Sequence, residues 1–296
     1  MAEVLHFPTE DAAKLESYLP PRTLPAPSKA TQDNSSRPFV TLTFATSLDS
    51  SLALAPGVRT ALSGPKSKAM THYLRSRHDA ILVGVGTAVA DDPGLNCRIS
   101  SDDAEGTVAP TAGTASTPTI TSHQPRPIII DPHDRWSLTY DSRVLATQRC
   151  GLGLAPYVVT AVSEPDPAKR QLLEAHGGKY LVISTGGGAT GNQDTTRFRW
   201  EDILASVARQ GLRSIMIEGG GSIINTLLAP VNTNLVDSVI ITIAPTWLGR
   251  GGVVVSPDRV HDDNNQATAA ARLKDVKWKQ LGDDVILCGR LNSLVC

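Results

Sequence analysis

The residues in this chain best suited to chemistry are two carboxylates and an arginine, Asp91, Glu218 and Arg98, each close to a glycine-bearing turn that follows an apolar run. Residues 81–83 are apolar without alternation, as in a strand buried on both faces, and Gly84 and Gly86 then allow a sharp turn and close backbone approach. Thr87 is expected to cap a short helix, with its hydroxyl and the free N–H groups of the first turn aimed above the sheet. A purely structural cap at Thr87 and an Asx turn at Asp91 are the plainer alternatives. A second unit of the same kind runs over 214–228: an apolar strand, then Glu218, Gly219, Gly220 and Gly221, then a helix opening with Ser222 and Ile223. A glycine turn feeding a helix N-terminus offers unpaired donors and the positive end of a dipole, which suit a phosphate, so a nucleotide cofactor is the natural ligand. A tight strand-to-helix turn has the same composition. Glu218 closes a buried strand, where a carboxylate is costly unless paired or used.

These residues must be positioned by an α/β framework. Residues 39–46 begin the core. The stretch 64–78 has Pro65 near its start and Met70, Tyr73 and Leu74 at helical spacing, which predicts an amphipathic helix carrying Arg75 into the strand at 81. Strands are expected at 127–131, 157–160, 179–183 and from 215, with helices at about 166–175 and 200–210. Two closing strands flank Gly282, with alternation over 285–288. Repeated strand and helix with an antiparallel end predicts an α/β domain with a mixed sheet. Residues 1–37 read as a partly ordered extension with a short helix near 11–19. Two polar, low-complexity stretches, near 100–125 and 185–198, read as flexible insertions in a single domain spanning 38–296. The 186–191 glycine run leads into polar residues rather than an apolar helix, so an insertion is favoured over a phosphate loop.

A chain of 296 residues with 41% hydrophobic content and a net charge of −1 suits a globular protein with a large core. No Lys/Arg run exceeds two, which argues against a nucleic-acid face. No apolar run reaches bilayer length and the N-terminus lacks a signal-sequence pattern, so a cytosolic protein without membrane partners is expected. Four cysteines without a Cys-x-x-Cys and histidines without ligand spacing predict no metal site. Cys97 is expected to be a small buried hydrophobe, and His72 and His78 solvent-facing or core histidines.

Six motifs occur in one order: Ser-Leu-Asp at 47–49, Ser-Gly-Pro at 63–65, the 81–95 run, Pro-Arg-Pro-Ile-Ile-Ile-Asp at 125–131, Glu-Gly-Gly at 218–220 and Ile-Ala-Pro at 243–245. Through them the chain resembles the stand-alone pyrimidine reductases of riboflavin biosynthesis, over roughly residues 38–291. That resemblance implies a dihydrofolate-reductase-like fold, a homodimer, and NADPH-dependent reduction of 2,5-diamino-6-ribosylamino-4(3H)-pyrimidinone 5′-phosphate to its ribitylamino form. It also implies a cofactor site of Thr87, Asp91, Gly219, Gly220, Gly221, Ser222 and Ile223, with Ile183 at its flank. Arg75, Leu95, Arg98 and Glu218 correspond to substrate positions, the arginines because a guanidinium fork suits a 5′-phosphate. A solvated surface arginine is the alternative for Arg75. Glu218 is expected to bind pyrimidine amino groups and to be a candidate for proton transfer. Ser50 stands where wider relatives carry glycine, which leaves Asp49 open to a structural role. The zinc signature of a fused pyrimidine deaminase is absent. A non-catalytic nucleotide-binding module of the same fold and a dihydrofolate-like reductase are the alternative functions.

Overall fold

The computed structural model describes residues 3–22, 37–105, 119–184, 198–262 and 264–292. The glycine run at 186–191 and the centre of the 100–125 stretch lie outside them. Among the described residues, eight α-helices and thirteen strands follow in chain order. The helices are α1 Thr9–Leu15, α2 Pro65–Ser76, α3 Val85–Asp91, α4 Ser101–Glu105, α5 Arg143–Arg149, α6 Pro167–Ala175, α7 Trp200–Ala208 and α8 Gly221–Leu227. The strands are β1 Phe39–Thr46, β2 Ser51–Ala53, β3 Ala80–Gly84, β4 Arg126–Ile130, β5 Tyr157–Thr160, β6 Lys179–Val182, β7 Ser214–Gly219, β8 Ser238–Ile243, β9 Val253–Val254, β10 Val260–His261, β11 Ala267–Thr268, β12 Leu273–Leu281 and β13 Asp284–Leu291.

Nine strands make the central sheet in the order β12-β13-β8-β1-β7-β3-β4-β5-β6. From β8 to β6 every neighbouring pair is parallel, while β13 joins β8 and β12 antiparallel. This is the mixed, mainly parallel sheet with a C-terminal hairpin that the strand and helix pattern predicts. The unalternating runs have a direct cause: central strands bury both faces. Ala80 and Leu82 of β3 join one cluster with Ile215 and Ile217 of β7 and with Ile203, Leu204 and Val207 of α7 and Ile224 and Leu227 of α8. Ile81 and Val83 point the other way, against Leu95, Val144, Leu145 and Leu173. On that second face Met216 and Ile240 meet Met70, Tyr73 and Leu74 of α2. Helices therefore cover both faces of the central parallel strands, whose ends are left open.

Local chemistry places the elements that matter most for the site. The turn of the β12–β13 hairpin carries Asp284, whose Oδ2 accepts from Gly64 N–H at 2.9 Å and from the Ser67 hydroxyl at 2.5 Å. A carboxylate is thereby fixed at the N-terminus of α2, where the dipole favours it. Asp166 caps α6 by accepting from Ala168 and Lys169 N–H. The N-terminal segment docks as well: Phe7, Ala12, Leu15, Tyr18 and Leu19 are buried in the same cluster as α2.

Candidate active site

Strands β3 and β7 are neighbours, with Val83 opposite Gly219, and the turns that follow them open onto one cleft. Its first compartment is a cavity of about 500 Å³ whose walls include Gly84, Gly86, Thr87, Asp91, Gly220, Gly221, Ser222 and Ile223. Glycine is required at two positions of the β7–α8 turn for reasons the geometry makes plain. Gly219 has φ +114°, which L side chains rarely adopt, and a Cβ at Gly221 would lie 2.5 Å from Val253 Cγ1. A Cβ on Gly220 would sit 3.1 Å from Thr87 Oγ1, so the two turns touch across the cleft floor.

Thr87 differs from its expected role. It lies inside the first turn of α3 rather than capping it; Gly84 holds the cap position and no side chain caps that helix. The glycine at 84 ends the strand with a backbone that makes a threonine cap unnecessary, and the Thr87 hydroxyl is left facing the cavity. Ile183 is not brought to this cleft. It follows the edge strand β6, donates its N–H to Thr160 O, and is buried in the cluster with Trp200 and Ile203.

The second compartment, about 640 Å³, is continuous with the first: Ala45, Leu52, Arg59, Thr60, Thr87, Asp91 and Glu218 line both. Arg75 and Glu218 stand here as a bidentate pair. Nε and Nη2 of Arg75 each donate to one Glu218 oxygen at 2.8 Å, and Nη1 donates to Asn96 O at 2.9 Å. Three of the five guanidinium donors are thus engaged within the protein, so Arg75 is foremost a partner of Glu218 rather than a free phosphate fork. Glu218, with both oxygens accepting from a cation, is a fixed acceptor with lone pairs left for ligand amino groups. Leu95, buried and with φ +49°, turns the 93–98 loop and forms part of the wall. Arg98 lines the same compartment.

Several contributors escaped sequence reasoning. The irregular 54–63 segment supplies the outer wall, with Ala55 to Thr60 facing the first cavity and Arg59 to Ser63 the second. Its only local signal is the Pro56-Gly57 turn. Lys68, Thr71 and His72 extend the α2 face that carries Arg75. His72 is neither solvent-facing nor merely core: it is buried and lines the second cavity, its pKa pushed down to about 2 by burial and then by Arg75, Arg98 and Lys68. Cys97 is buried beside it, and burial pushes its thiol up to about 11, which makes it an inert hydrophobe.

Asp49 proves structural in its contacts. It accepts from the Ser47 hydroxyl and from Leu248 and Gly249 N–H, and these bonds, the Ser47 one foremost, hold its carboxyl below the usual range. Ser50 adopts φ +59°, the left-handed conformation that glycine takes without cost, so the turn forms despite the side chain.

Known proteins match nearly the whole chain. The RibD C-terminal domain family model matches residues 38–287. The 2,5-diamino-6-ribosylamino-4(3H)-pyrimidinone 5′-phosphate reductase of Debaryomyces hansenii is 40% identical over 280 residues, covering 94% of each chain. The protein of the same name from Saccharomyces cerevisiae is 36% identical over 279 residues, 94% of this chain and 93% of the relative. The solved structure of the riboflavin biosynthesis reductase of Saccharomyces cerevisiae superposes with a TM-score of 0.66 at 33% identity, covering 95% of this chain and 98% of that one.

Proposed function

The chain belongs to the RibD C-terminal domain family, and we propose that it uses NADPH to reduce 2,5-diamino-6-ribosylamino-4(3H)-pyrimidinone 5′-phosphate to the ribitylamino product in riboflavin biosynthesis. The observation that carries the reading is the Arg75–Glu218 pair at the junction of two connected cavities, one walled by glycine turns and the other by cations.

The first compartment suits a dinucleotide. Gly220 and Gly221 leave a cradle that a Cβ would fill, and the opening turn of α8 presents backbone N–H groups beside it. Thr87, Asp91, Ser222 and Ile223 would hold the cofactor there, with Gly219 setting the turn. Support for NADPH over NADH comes from Arg59, the one lysine or arginine lining this compartment among the described residues. Ile183 reaches the cofactor in this proposal only if the cofactor extends past β4 along the sheet edge. When bound, NADPH supplies a hydride.

The second compartment receives the substrate. Reduction of ribosyl to ribityl requires the sugar ring to open, forming a C1′–N imine that accepts hydride at carbon and a proton at nitrogen. Glu218, held by Arg75, would accept hydrogen bonds from the pyrimidine amino groups and so fix the ring, while Leu95 packs against it. Arg98 would meet the 5′-phosphate. Orientation of this kind is the main service a protein renders to hydride transfer. Glu218 meets the substrate as an acceptor, since each of its oxygens already accepts from Arg75.

The proposal extends to a cytosolic homodimer. No helix among the described residues is long and apolar enough to cross a membrane. Trp278 and Val285, 61% and 36% exposed on the outer face of the hairpin, leave apolar surface for a second copy. Sedimentation giving a single 31.4 kDa species across micromolar concentrations would remove the dimer. The functional test is cofactor oxidation followed by absorbance with the phosphorylated ribosylaminopyrimidine and, separately, with dihydrofolate. Oxidation with the first alone is expected. Activity with dihydrofolate alone, or with neither, would replace the reading by one of its alternatives.

A further inference from the structure

Asn96 is anchored at both its backbone and its side chain. Its carbonyl oxygen accepts from Arg75 Nη1 at 2.9 Å, which ties the residue to the guanidinium that holds Glu218. Its side-chain Nδ2 donates to Leu152 O at 2.9 Å. A carbonyl oxygen cannot donate, so this contact fixes the orientation of the amide and leaves Oδ1 turned the other way as an acceptor. No donor among the described residues reaches Oδ1, and the atom is not sealed in the interior.

Thr147, on α5, is in the same condition. Its hydroxyl proton is committed to Arg143 O at 2.7 Å, so Oγ1 has only acceptor capacity left. The two oxygens converge beside Gly94, where an added Cβ would lie 3.2 Å from each of them. Gly94 carries no Cβ, and Gly94, Asn96, Thr147 and Leu152 all line the second compartment. The wall therefore has an opening that presents two oxygen acceptors side by side. A primary amino group, which donates two hydrogens from one nitrogen, fits it; a carbonyl oxygen would bring lone pairs against lone pairs.

We propose that Asn96 Oδ1 and Thr147 Oγ1 accept the two hydrogens of the substrate's 2-amino group and thereby set the choice between the 2-amino pyrimidinone and its 2-oxo counterpart. The assignment rests on reading the second compartment as the substrate end. Carbon 2 of the pyrimidine is para to carbon 5. With Glu218 accepting from the nitrogens on carbons 5 and 6, the 2-amino group points away from it, and Asn96 stands on the other side of the Arg75 guanidinium. A 2-oxo ligand would leave both acceptors unpaired, and a site built to receive N–H groups rejects such an analogue far more strongly than an apolar wall would. Arg143, whose Cγ lies 4.0 Å from the same Cβ point, would welcome a carbonyl if its guanidinium turned inward, so the opposite preference is a distinct outcome.

The test is calorimetric titration of 2,5-diamino-6-ribosylamino-4(3H)-pyrimidinone 5′-phosphate and of its 2-oxo counterpart into the full chain, with no hydride donor present and hence no turnover. The wild-type protein is expected to bind the 2-amino compound about thirty- to a hundredfold more tightly. Asn96→Leu should bind that compound about tenfold more weakly and leave the 2-oxo compound within about threefold, so that the ratio collapses. Asn96→Asp keeps an acceptor and should keep the preference, whereas Thr147→Val should lose part of it, about threefold. An asparagine that only holds the loop would weaken both ligands alike and leave the ratio unchanged. NADPH affinity should be the same in all. Equal binding of the two compounds by the wild-type protein, a preference for the 2-oxo compound, or an unchanged ratio in a folded Asn96→Leu protein overturns the proposal. Should Asn96→Leu not fold, Thr147→Val takes its place, and an unchanged ratio there has the same force. A binding preference that responds as expected in a protein that oxidises NADPH with neither compound would leave the recognition standing and remove the proposed function instead. Binding of neither compound overturns both.

Discussion

Arg75 and Glu218, 143 positions apart in the chain, meet through two parallel 2.8 Å hydrogen bonds at the junction of the two cavities. Their side chains are only 14% and 18% exposed, so each is the condition for burying the other. The helix α2 and the strand β7 are thereby locked in register at the point where cofactor and substrate would meet. Removing one partner, as in Glu218→Gln, leaves an unneutralised guanidinium and should cost roughly 3 kcal/mol of stability. The paired replacement Arg75→Met with Glu218→Leu should restore most of the stability, because a buried pair is often no better than apolar groups of similar volume. Reductase activity should not return with it. Recovery of both in a melting curve and a cofactor-oxidation assay would make the pair purely structural.

Substrate and cofactor recognition are separable through Arg98 and Asp91. Arg98→Ala should weaken substrate use by roughly 1.5–3 kcal/mol, on the order of ten- to a hundredfold, with NADPH affinity little changed. Asp91→Ala should do the reverse. The loss in Arg98→Ala should fall on KM if the contact is equal in ground and transition states, and also on kcat if phosphate binding aligns the acceptor carbon. NADPH titration by fluorescence decides the assignment: a large loss of cofactor affinity in Arg98→Ala, with unchanged substrate kinetics, would move that arginine to the nucleotide.

The glycines of the cleft should divide by what surrounds them. At Gly221 an added Cβ would meet Val253 at 2.5 Å, so Gly221→Ala should cost about 1–3 kcal/mol of stability through overpacking. At Gly86 nothing lies within 4 Å of the Cβ position, and the residue is helical. Gly86→Ala should therefore be neutral or stabilising by up to about 1 kcal/mol, yet weaken NADPH because the methyl points into the cavity it lines. Urea unfolding and cofactor titration on the same two variants check both halves. A Gly86→Ala protein with undiminished cofactor affinity would place the dinucleotide elsewhere.

Much of this arrangement was legible before any coordinates, and the reasons are local. The runs at 81–83 and 215–217 announce central strands because both faces of a parallel strand are apolar, and the glycines after them mark where the chain must turn tightly. What escaped was long-range or aperiodic. The pairing of Arg75 with Glu218 depends on α2 lying over β7, and no spacing rule reports that. The 54–63 wall has neither period nor repeated chemistry. His72 reads as an ordinary helical histidine until the 93–98 loop folds back and places the Arg98 backbone N–H against its ring. The Thr87 expectation failed by three residues because Gly84 could serve as the cap with backbone alone.

Acid should destabilise the fold earlier than its carboxylates require, through His78. This histidine is fully buried, its Nδ1–H donates to Leu74 O at 2.7 Å and its Nε2 accepts from the Thr41 hydroxyl at 2.8 Å, itself bonded by Ser238. Only the neutral ring satisfies that chain, and burial pushes its pKa down to about 4. The unfolded chain, with an ordinary histidine near 6.5, binds the proton first, so the sign is fixed: stability is full above about pH 6.5 and falls as pH drops toward 4. The slope from this one group approaches 1.4 kcal/mol per pH unit, or roughly 3 kcal/mol over the window. His72, at about 2, adds a similar slope over the same range and continues it to lower pH. Measurement between pH 6.5 and 5 isolates the histidines from the carboxylates, which titrate lower. In His78→Gln the amide has no proton to gain, so the variant should be less stable at pH 7 but should lose about half of the pH slope. Urea unfolding at half-unit intervals gives that slope directly as proton uptake, and equal slopes in the two proteins would mean that His78 titrates in the folded state as it does in the unfolded chain.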